Sequence, residues 1–452
     1  MKITIAGCGK VGAAVAAELV REKHDIIIVD KSERNIAYAA NALDVLPIVG
    51  DACSATTLKE AGADKSELLI AVTDSDEANL LICVVAKQLG VANTICRIRN
   101  PIYAGTVELI KEEMGLSFIV NPEKEAASEM FRSLLFKGAG QVETFAKGSH
   151  EVLTCQVVKE NPLCGMHIRD LSKFINRKIL ICAIKRNQEV FIPNGNTEIM
   201  VGDTISFVAS REDAVHFFKK MNYPTGKISD LTIIGGGRLG FYLASMAVED
   251  GIPVKIIEKD IARCRQLDYD LPPAEIYCGD GTDISVLEEE NVFSSSAIAT
   301  TTGSDETNVL VSLYIKNHAA EAKVITKIEK SDFEEMIYKL EMGNVFNPKY
   351  ITADRIITYV RAMQESVGNE VQSVCHVIDN KVEVLEFKIE EMAPNLNMPL
   401  SSVKFKNDLL LASITRDGKS FIPGGNDFVQ VGDTVLVVTT ERGISRFREI
   451  FA

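Results

Sequence analysis

The chain is predicted to be an α/β protein. Two doubly wound parallel sheets are expected, each followed by a small β-rich α+β module. Three observations carry this expectation. A glycine-rich loop occurs twice, as Gly7-Cys8-Gly9-Lys10-Val11-Gly12 and as Gly235-Gly236-Gly237-Arg238-Leu239-Gly240. Each loop follows an apolar strand pattern, Ile3-Thr4-Ile5-Ala6 or Leu231-Thr232-Ile233-Ile234. Each is then followed by a second apolar run that ends in an acid, Asp30 or Glu258, at the same 18-residue interval (12 to 30, 240 to 258). One G-x-G-x-x-G is a weak signal, whereas two copies with the same strand, helix, strand and acid around them are a strong one.

The elements of the first copy follow in order. Strands are predicted at Lys2–Ala6, Ile26–Val29, Val45–Val49, Leu68–Thr73, Thr94–Ile98 and Ser117–Val120, and helices at Val11–Glu22, Asp76–Gln88 and Tyr103–Glu113. Short β-rich runs alternating with helical patterns argue for a Rossmann-like parallel sheet. Val11, Val15, Leu19 and Val20 supply the face of the first helix that packs on it. The same order returns in the second copy. Gly50-Asp51 recurs as Gly279-Asp280, and Thr73-Asp74-Ser75-Asp76-Glu77-Ala78-Asn79 recurs as Thr302-Gly303-Ser304-Asp305-Glu306-Thr307-Asn308. Both copies reach an Asn-Pro helix start, Asn121-Pro122 and Asn347-Pro348, followed by amphipathic segments Glu125–Phe136 and Ile351–Met363. The small modules repeat as well. Phe191-Ile192-Pro193-Asn194-Gly195-Asn196 and Val201-Gly202-Asp203-Thr204 are matched by Phe421-Ile422-Pro423-Gly424-Gly425-Asn426 and Val431-Gly432-Asp433-Thr434. The expected plan is a duplicated pair: nucleotide-binding domains at 1–121 and 228–346, connecting helices at 122–140 and 347–367, and β-rich modules at 141–222 and 368–452. Met221–Asp230, with Pro224 and Gly226, reads as the hinge between halves.

At 452 residues the chain is too long for a single core. Its net charge of −14 and pI of about 5.1 argue against a nucleic-acid partner. Apolar runs such as Ile179–Ile184 are far short of the roughly 20 residues of a spanning helix. The N-terminus already reads as strand, which leaves no room for a signal peptide, so a soluble cytoplasmic protein is expected. Ten cysteines occur without a C-x-x-C pair or a Cys/His cluster and read as reduced thiols; no metal site is expected. The absence of Trp and the 6% aromatic content weaken any base-stacking reading.

Glycines in such a loop let the backbone approach a pyrophosphate, and the helix N-terminus that follows directs N–H groups at the phosphates. Asp30 and Glu258 are placed to accept from both ribose hydroxyls, and a carboxylate there favours NAD(H) over NADP(H). ATP or ADP offers the same ribose, so the pattern leaves them open. Asp51, like Asp280, is placed to approach an adenine or to cap the helix beginning near Ala52. Thr73 and Asp74 end the fourth strand at the carboxyl edge, where ligands bind. Arg97 ends the fifth strand and is either a phosphate partner or a solvated charge. The second copy has Gly303 for Asp74 and Lys327 for Arg97, which predicts an altered pocket. Cys8 lies where a helix N-terminus could lower its pKa, but a small tolerated side chain is the preferred reading. The six histidines show no ligand spacing, and Glu288-Glu289-Glu290 reads as a solvated face. The small modules offer no acid–base arrangement for hydride transfer, so no catalytic residues are expected and nucleotide sensing explains the layout better than catalysis.

With these motifs in this order the chain resembles the TrkA family, the peripheral regulatory subunits of Trk potassium uptake systems built from RCK (KTN) domains. The resemblance covers essentially the whole chain. It implies a cytoplasmic ring, a tetramer of duplicated chains, attached at the inner face of the membrane to a TrkH- or TrkG-like potassium-translocating subunit. NAD(H) or adenine nucleotides would bias the gate. Carried over by position, the nucleotide contacts fall at Gly7 through Gly12, Asp30, Thr73, Asp74 and Arg97, and in the second copy at Gly235 through Gly240, Glu258 and Thr302. An NAD-dependent dehydrogenase, or a regulator of a different membrane cation transporter, remain the alternatives.

Overall fold

The structure, a computed structural model, describes residues 1–134, 142–145, 150–187, 189–223, 228–329, 336–337, 340, 344–363, 371–378 and 381–452. It divides into two compact units, Met1–Met130 with Ser229–Tyr359, and Phe131–Ile228 with Val360–Ala452. Like therefore groups with like: both parallel sheets belong to the first unit and both small modules to the second. Elements are numbered in chain order.

In the first unit, β1 (Lys2–Ala6), α1 (Lys10–Arg21), β2 (Asp25–Asp30), α2 (Glu33–Ala42), β3 (Leu46–Val49), α3 (Ala55–Glu60), β4 (Leu68–Ala71), α4 (Asp76–Gln88), β5 (Asn93–Arg97), α5 (Pro101–Leu109) and β6 (Phe118–Val120) form the first Rossmann-like fold. Its sheet runs β3-β2-β1-β4-β5-β6 with every pair parallel. The strand order reverses between β1 and β4, which opens a crevice at their carboxyl ends. Ile3, Ile5, Ala6 and all of β4 are buried because helices cover both faces. Thr4 of central β1 is fully buried and its hydroxyl hydrogen-bonds Ser66 Oγ at 2.8 Å. Val11, Val15, Ala16 and Leu19 form the buried stripe of α1. Helix α5 starts and ends earlier than the predicted Tyr103–Glu113. Asn100 Oδ1 accepts from the Ile102 N–H at 3.0 Å, and Pro101 takes the first helical position, where its missing N–H costs nothing.

The second fold repeats this with β12 (Leu231–Ile234), α9 (Arg238–Glu249), β13 (Val254–Glu258), α10 (Ile261–Asp270), β14 (Glu275–Cys278), α11 (Ile284–Glu289), β15 (Ala297–Thr300), α12 (Asp305–His318), β16 (Lys323–Lys327) and β17 (Asn344–Phe346). The sheet order is β14-β13-β12-β15-β16-β17. Even the buried hydroxyl pair recurs, as Thr232 with Ser295 at 2.7 Å. Within the unit the two folds touch directly. Asn121 donates to Tyr242 Oη at 2.9 Å, Arg355 pairs with Glu125 at 2.9 Å, and the Phe118 and Tyr359 rings stack at 4.7 Å. Helices α6 (Pro122–Leu134) and Pro348–Met363 carry the chain from one unit into the other. The predicted continuation of these helices to 140 and 367, and Pro224 and Gly226 of the hinge, lie outside the described residues.

In the second unit, β7 (Val142–Phe145), β8 (His150–Gln156), α7 (Ile168–Ile175), β9 (Leu180–Arg186), β10 (Glu189–Phe191), β11 (Thr204–Ala209) and α8 (Arg211–Lys220) make the first module. The second contains β18 (Val371–Val377), β19 (Val382–Lys388), β20 (Leu409–Arg416), β21 (Lys419–Phe421) and β22 (Thr434–Thr439). The antiparallel sheets run β10-β9-β11-β8-β7 and β18-β19-β22-β20-β21. Alternation along β11 sends Ile205, Phe207 and Ala209 into the module's own core with Phe217, while Val208 joins a core shared with Val384, Leu436 and Val438 of the other module. The repeated Val-Gly-Asp has a structural reason. Asp203, 1% exposed, takes Arg186 through two bonds of 2.8 and 2.7 Å and also accepts from the Met200 N–H at 2.8 Å. Asp433 does the same with Arg416 (2.8 Å twice) and the Gln430 N–H (2.9 Å). The Asn194-Gly195 turn is local chemistry, with Asn194 Oδ1 accepting from the Asn196 N–H at 2.9 Å.

Removing the buried partner of such a pair strands the guanidinium. Asp203→Ala or Asp433→Ala is expected to destabilise its module by about 3–5 kcal/mol. Urea unfolding checks this, and a loss of only a few tenths would show the clamp to be peripheral.

Candidate functional site

The phosphate loop begins where β1 ends. Gly7 has φ +104°, and a Cβ there would lie 2.8 Å from Thr73 N; a Cβ on Gly12 would lie 1.9 Å from the Gly7 carbonyl oxygen. Only glycine permits α1 to start this close to the strand exit. Asp30, at the end of β2, is tied to the loop by its own oxygens. Oδ2 accepts from the Cys8 N–H at 2.5 Å and Oδ1 from the Ser32 N–H at 2.8 Å. Glu258 repeats this with the N–H groups of Gly236 (2.7 Å) and Asp260 (2.9 Å). The glutamate thus accepts from the same two loop positions as the aspartate.

Asp51 does not cap the following helix. Its Oδ1 accepts from the Cys53 N–H at 2.9 Å and its Oδ2 meets Lys31 Nζ at 3.1 Å, while Ser54 caps α3. The Cys53 N–H first, and then Lys31, hold its carboxyl below the usual range. Asp280 likewise bonds Thr282, leaving Asp283 as the cap of α11.

Thr73 is held by a residue to which the sequence reading assigned no role. Asn79, fully buried, accepts from the Thr73 N–H at 2.8 Å and from its hydroxyl at 2.7 Å, and donates to the carbonyls of Thr73 (3.3 Å) and Arg97 (3.0 Å). Asn308 does the same for Thr302 and Lys327. The final Asn of the repeated Thr-x-Ser-Asp-Glu-x-Asn box was the visible signal. Arg97 is not a solvated charge: it is 9% exposed and donates to the Thr73 carbonyl. Burial, and then the neighbouring Arg99, lower its guanidinium to about 10. In the second copy Lys327 reaches the Thr302 carbonyl at 3.3 Å and pairs with Glu329 at 2.7 Å.

Cys8 is buried, and burial followed by the nearby Asp30 pushes its thiol up to about 11. The tolerated-side-chain reading therefore fits it better than an activated thiol. Copy two has Gly236 there because a Cβ would strike Leu267 Cδ1 at 2.4 Å, where copy one has the smaller Ala39.

Gly7, Gly9, Lys10, Val11, Asp30, Asp51, Thr73, Asp74 and Arg97 converge on one cleft of about 820 Å³, within the size range of small-ligand sites. Its far wall comes from the other fold of the same unit, with Gly237, Arg238, Leu239, Lys327, Glu329 and Lys349. Glu258, Asp280 and Thr302 are not on this wall. Seven Lys and Arg line the cleft against five carboxylates, a cationic excess in an acidic chain. Lys10 bridges the folds to Glu329 at 3.0 Å. Among the described residues, the buried Nε atoms of Arg97 and Arg99 and the Oε2 of Glu123 have no hydrogen-bond partner. Donors left over beside a glycine cradle fit a phosphate-bearing ligand. Arg99 and Glu123 gave no repeat signal and were not anticipated.

Two outcomes follow. Asn79→Ala orphans several buried groups at once and should cost about 3 kcal/mol, read by thermal melting; an unchanged melt would refute the role. Burial raises the Glu123 carboxyl. A raised folded pKa means stability is lost as pH climbs from the unfolded value of about 4.3 toward the folded one. Glu123→Gln should therefore be more stable than the parent at pH 7 and no more stable at pH 4, by urea midpoints.

Comparison with known proteins agrees with this architecture. A model of the TrkA-N domain matches residues 3–122 and 231–348, and one of the TrkA-C domain matches 155–222 and 384–452. A Trk system potassium uptake protein TrkA homolog of Archaeoglobus fulgidus is 31% identical over 100% of both chains. The Trk system potassium uptake protein TrkA of Azorhizobium caulinodans is 26% identical over 100% of this chain and 98% of its own. Among solved structures, the GsuK RCK domain superposes with a TM-score of 0.62 at 14% identity, covering 98% of this chain and 93% of that one. The GsuK channel bound to NAD gives 0.62 at 14% identity, over 98% and 77%. Two domain models each matched twice, and a full-length relative at 31% identity, establish that this chain belongs to the TrkA family as a tandem duplicate of TrkA-N and TrkA-C domains.

Proposed function

We propose that the chain is the cytoplasmic, nucleotide-binding gating subunit of a Trk-type potassium uptake system, with no catalytic activity of its own. One observation carries this reading: the cleft holding the first phosphate loop is walled on its other side by Arg238, Lys327 and Lys349 of the second fold. A ligand seated there touches both folds. Its phosphates meet the N-terminus of α1 and the Arg97–Arg99 pair from one side, and Arg238 from the other. Nucleotides that differ in number of phosphates then stabilise different spacings of the two folds, which is the differential affinity a gate requires. Asp30 accepts from the ribose hydroxyls once its oxygens face the ligand, and its charge disfavours a 2′-phosphate. NAD(H), ATP and ADP are the ligands of choice, and the GsuK channel bound to NAD supports the class.

In this reading the nucleotide domains are residues 1–121 and 228–346 and the β-rich modules 141–222 and 368–452, joined by the connecting helices. The relatives named as potassium uptake proteins support a membrane potassium-translocating partner. Among the described residues no helix is long and apolar enough to cross a membrane. The chain closes into a homo-oligomeric ring, a tetramer of duplicated chains, beneath that partner.

Calorimetry with NADH, NAD, ATP and ADP tests the proposal on the parent chain and on Asp30→Ala and Arg97→Ala, each first checked for an unchanged melt. Loss of a charged hydrogen-bond partner should weaken binding about tenfold or more at the first site. No binding of any of the four nucleotides would sink the reading, and steady NADH consumption with a small carbonyl compound would replace it with a dehydrogenase.

A further inference from the structure

Helix α10 packs on the edge strand β14 of the second Rossmann sheet, and two cysteines meet at that contact. Cys278 is paired in register with Glu258. The Glu258 carbonyl oxygen accepts from the Gly279 N–H at 2.9 Å and from Cys264 Sγ at 3.2 Å, so Cys264 reaches the carbonyl that also bonds the residue following Cys278. The Cys278 thiol lies near enough to Cys264 to raise the pKa of the Cys264 thiol. Both are free thiols; Cys264 is 8% exposed and Cys278 is open to solvent. The first copy has Ile36 and Val49 at the corresponding positions, six residues after Asp30 and one before Gly50, so the pair is not part of the shared fold.

We propose that Cys264 and Cys278 are a redox-active dithiol that closes to a disulfide across the contact between α10 and β14. The oxidant is a low-molecular-weight disulfide, RSSR. The exposed Cys278 thiolate attacks one sulfur of RSSR and expels RS⁻, which takes up a proton. Cys264 then gives its proton to solvent, attacks the Cys278 sulfur of the mixed disulfide and expels the second RS⁻. Two protein thiols and RSSR thus become one protein disulfide and two RSH. The order of attack follows from environment. Burial, and then the Cys278 thiol beside it, hold Cys264 up to about 12, which suits it to the second, intramolecular step, after Cys278 has been capped.

Closure takes the Cys264 sulfur from the Glu258 carbonyl and pins α10 to β14. The same helix carries Arg263, whose Nε donates to the Gly236 carbonyl of the phosphate loop at 2.7 Å. Oxidation therefore restrains the groups that shape the second nucleotide site, a consequence that rests on the function proposed above.

The full-length protein treated with oxidised glutathione, alkylated and peptide-mapped should yield a Cys264–Cys278 linked peptide that dithiothreitol reverses. Cys264→Ser should instead retain a glutathione adduct on Cys278, and Cys278→Ser should show neither. A parent chain with both thiols still open to alkylation, or with either linked to a different cysteine, overturns the proposal. Calorimetry with NADH and ADP on reduced and oxidised parent then reads the consequence, expected as an about tenfold change at one site that Cys264→Ser lacks. A mapped disulfide with unchanged affinities would overturn the effect on binding. Absence of nucleotide binding in the reduced chain would instead be a failure of the functional reading, with the dithiol still decided by the map.

Discussion

The contact between Gly12 and the Gly7 carbonyl is the constraint on which the rest of the first unit depends. A Cβ at Gly12 would sit 1.9 Å from that oxygen, and in the second copy a Cβ at Gly240 would sit 2.2 Å from the Gly235 oxygen. The helix is pressed against the strand exit as closely as a backbone allows. Because Gly7 also abuts Thr73, three elements, β1, α1 and β4, are drawn together at one point. The N–H groups of the helix start are left facing the crevice, and the acid of β2 and the Asn79–Thr73 bonds are arranged around that opening. A wider loop would uncouple each of these groups from the others.

Duplication preserved this arrangement while changing its contents. Cys8 with Ala39 becomes Gly236 with Leu267, an exchange of volume across one helix–loop contact. Arg97 becomes Lys327, which keeps a bond to the strand-end carbonyl but adds a close pair with Glu329. The substitution transfers charge from the first site's style of open donors into a link between folds, since Glu329 also meets Lys10. The two copies are therefore not interchangeable. One contributes the crevice, and the other contributes a cationic wall to it. The local excess of cations concentrates anions in that cleft although the chain as a whole is acidic.

The small modules follow a simpler logic. Their strands alternate between a private core and a core shared by both modules, so neither sheet leaves an apolar face uncovered. The Arg–Asp clamps close the turn that enters the last strand of each sheet, and they account for the repeated Val-Gly-Asp. The modules differ at their ends. Helix α8 packs Phe217 on the first core, while the second ends in a short turn at Phe447–Ile450.

What the sequence determined by itself was local and periodic. Strand identity, the two loops, the acids behind them and the order of the modules could be read because alternation, glycine spacing and repetition are properties of neighbouring residues. Helix limits were less legible where capping decides them, as at Asn100-Pro101. The roles of Asn79 and of Asp203 were hidden although both lie in visible repeats, because a repeat marks a position without saying which backbone groups it will satisfy. Only the tertiary structure decided that like pairs with like. It alone brought Arg238 to the wall of the first cleft, left Glu123 Oε2 and the Nε atoms of Arg97 and Arg99 without hydrogen-bond partners there, and set Cys264 beside Cys278. Such contacts join residues far apart along the chain. Their energies depend on burial and on shape across a packed surface, and neither quantity is encoded in the spacing of one segment.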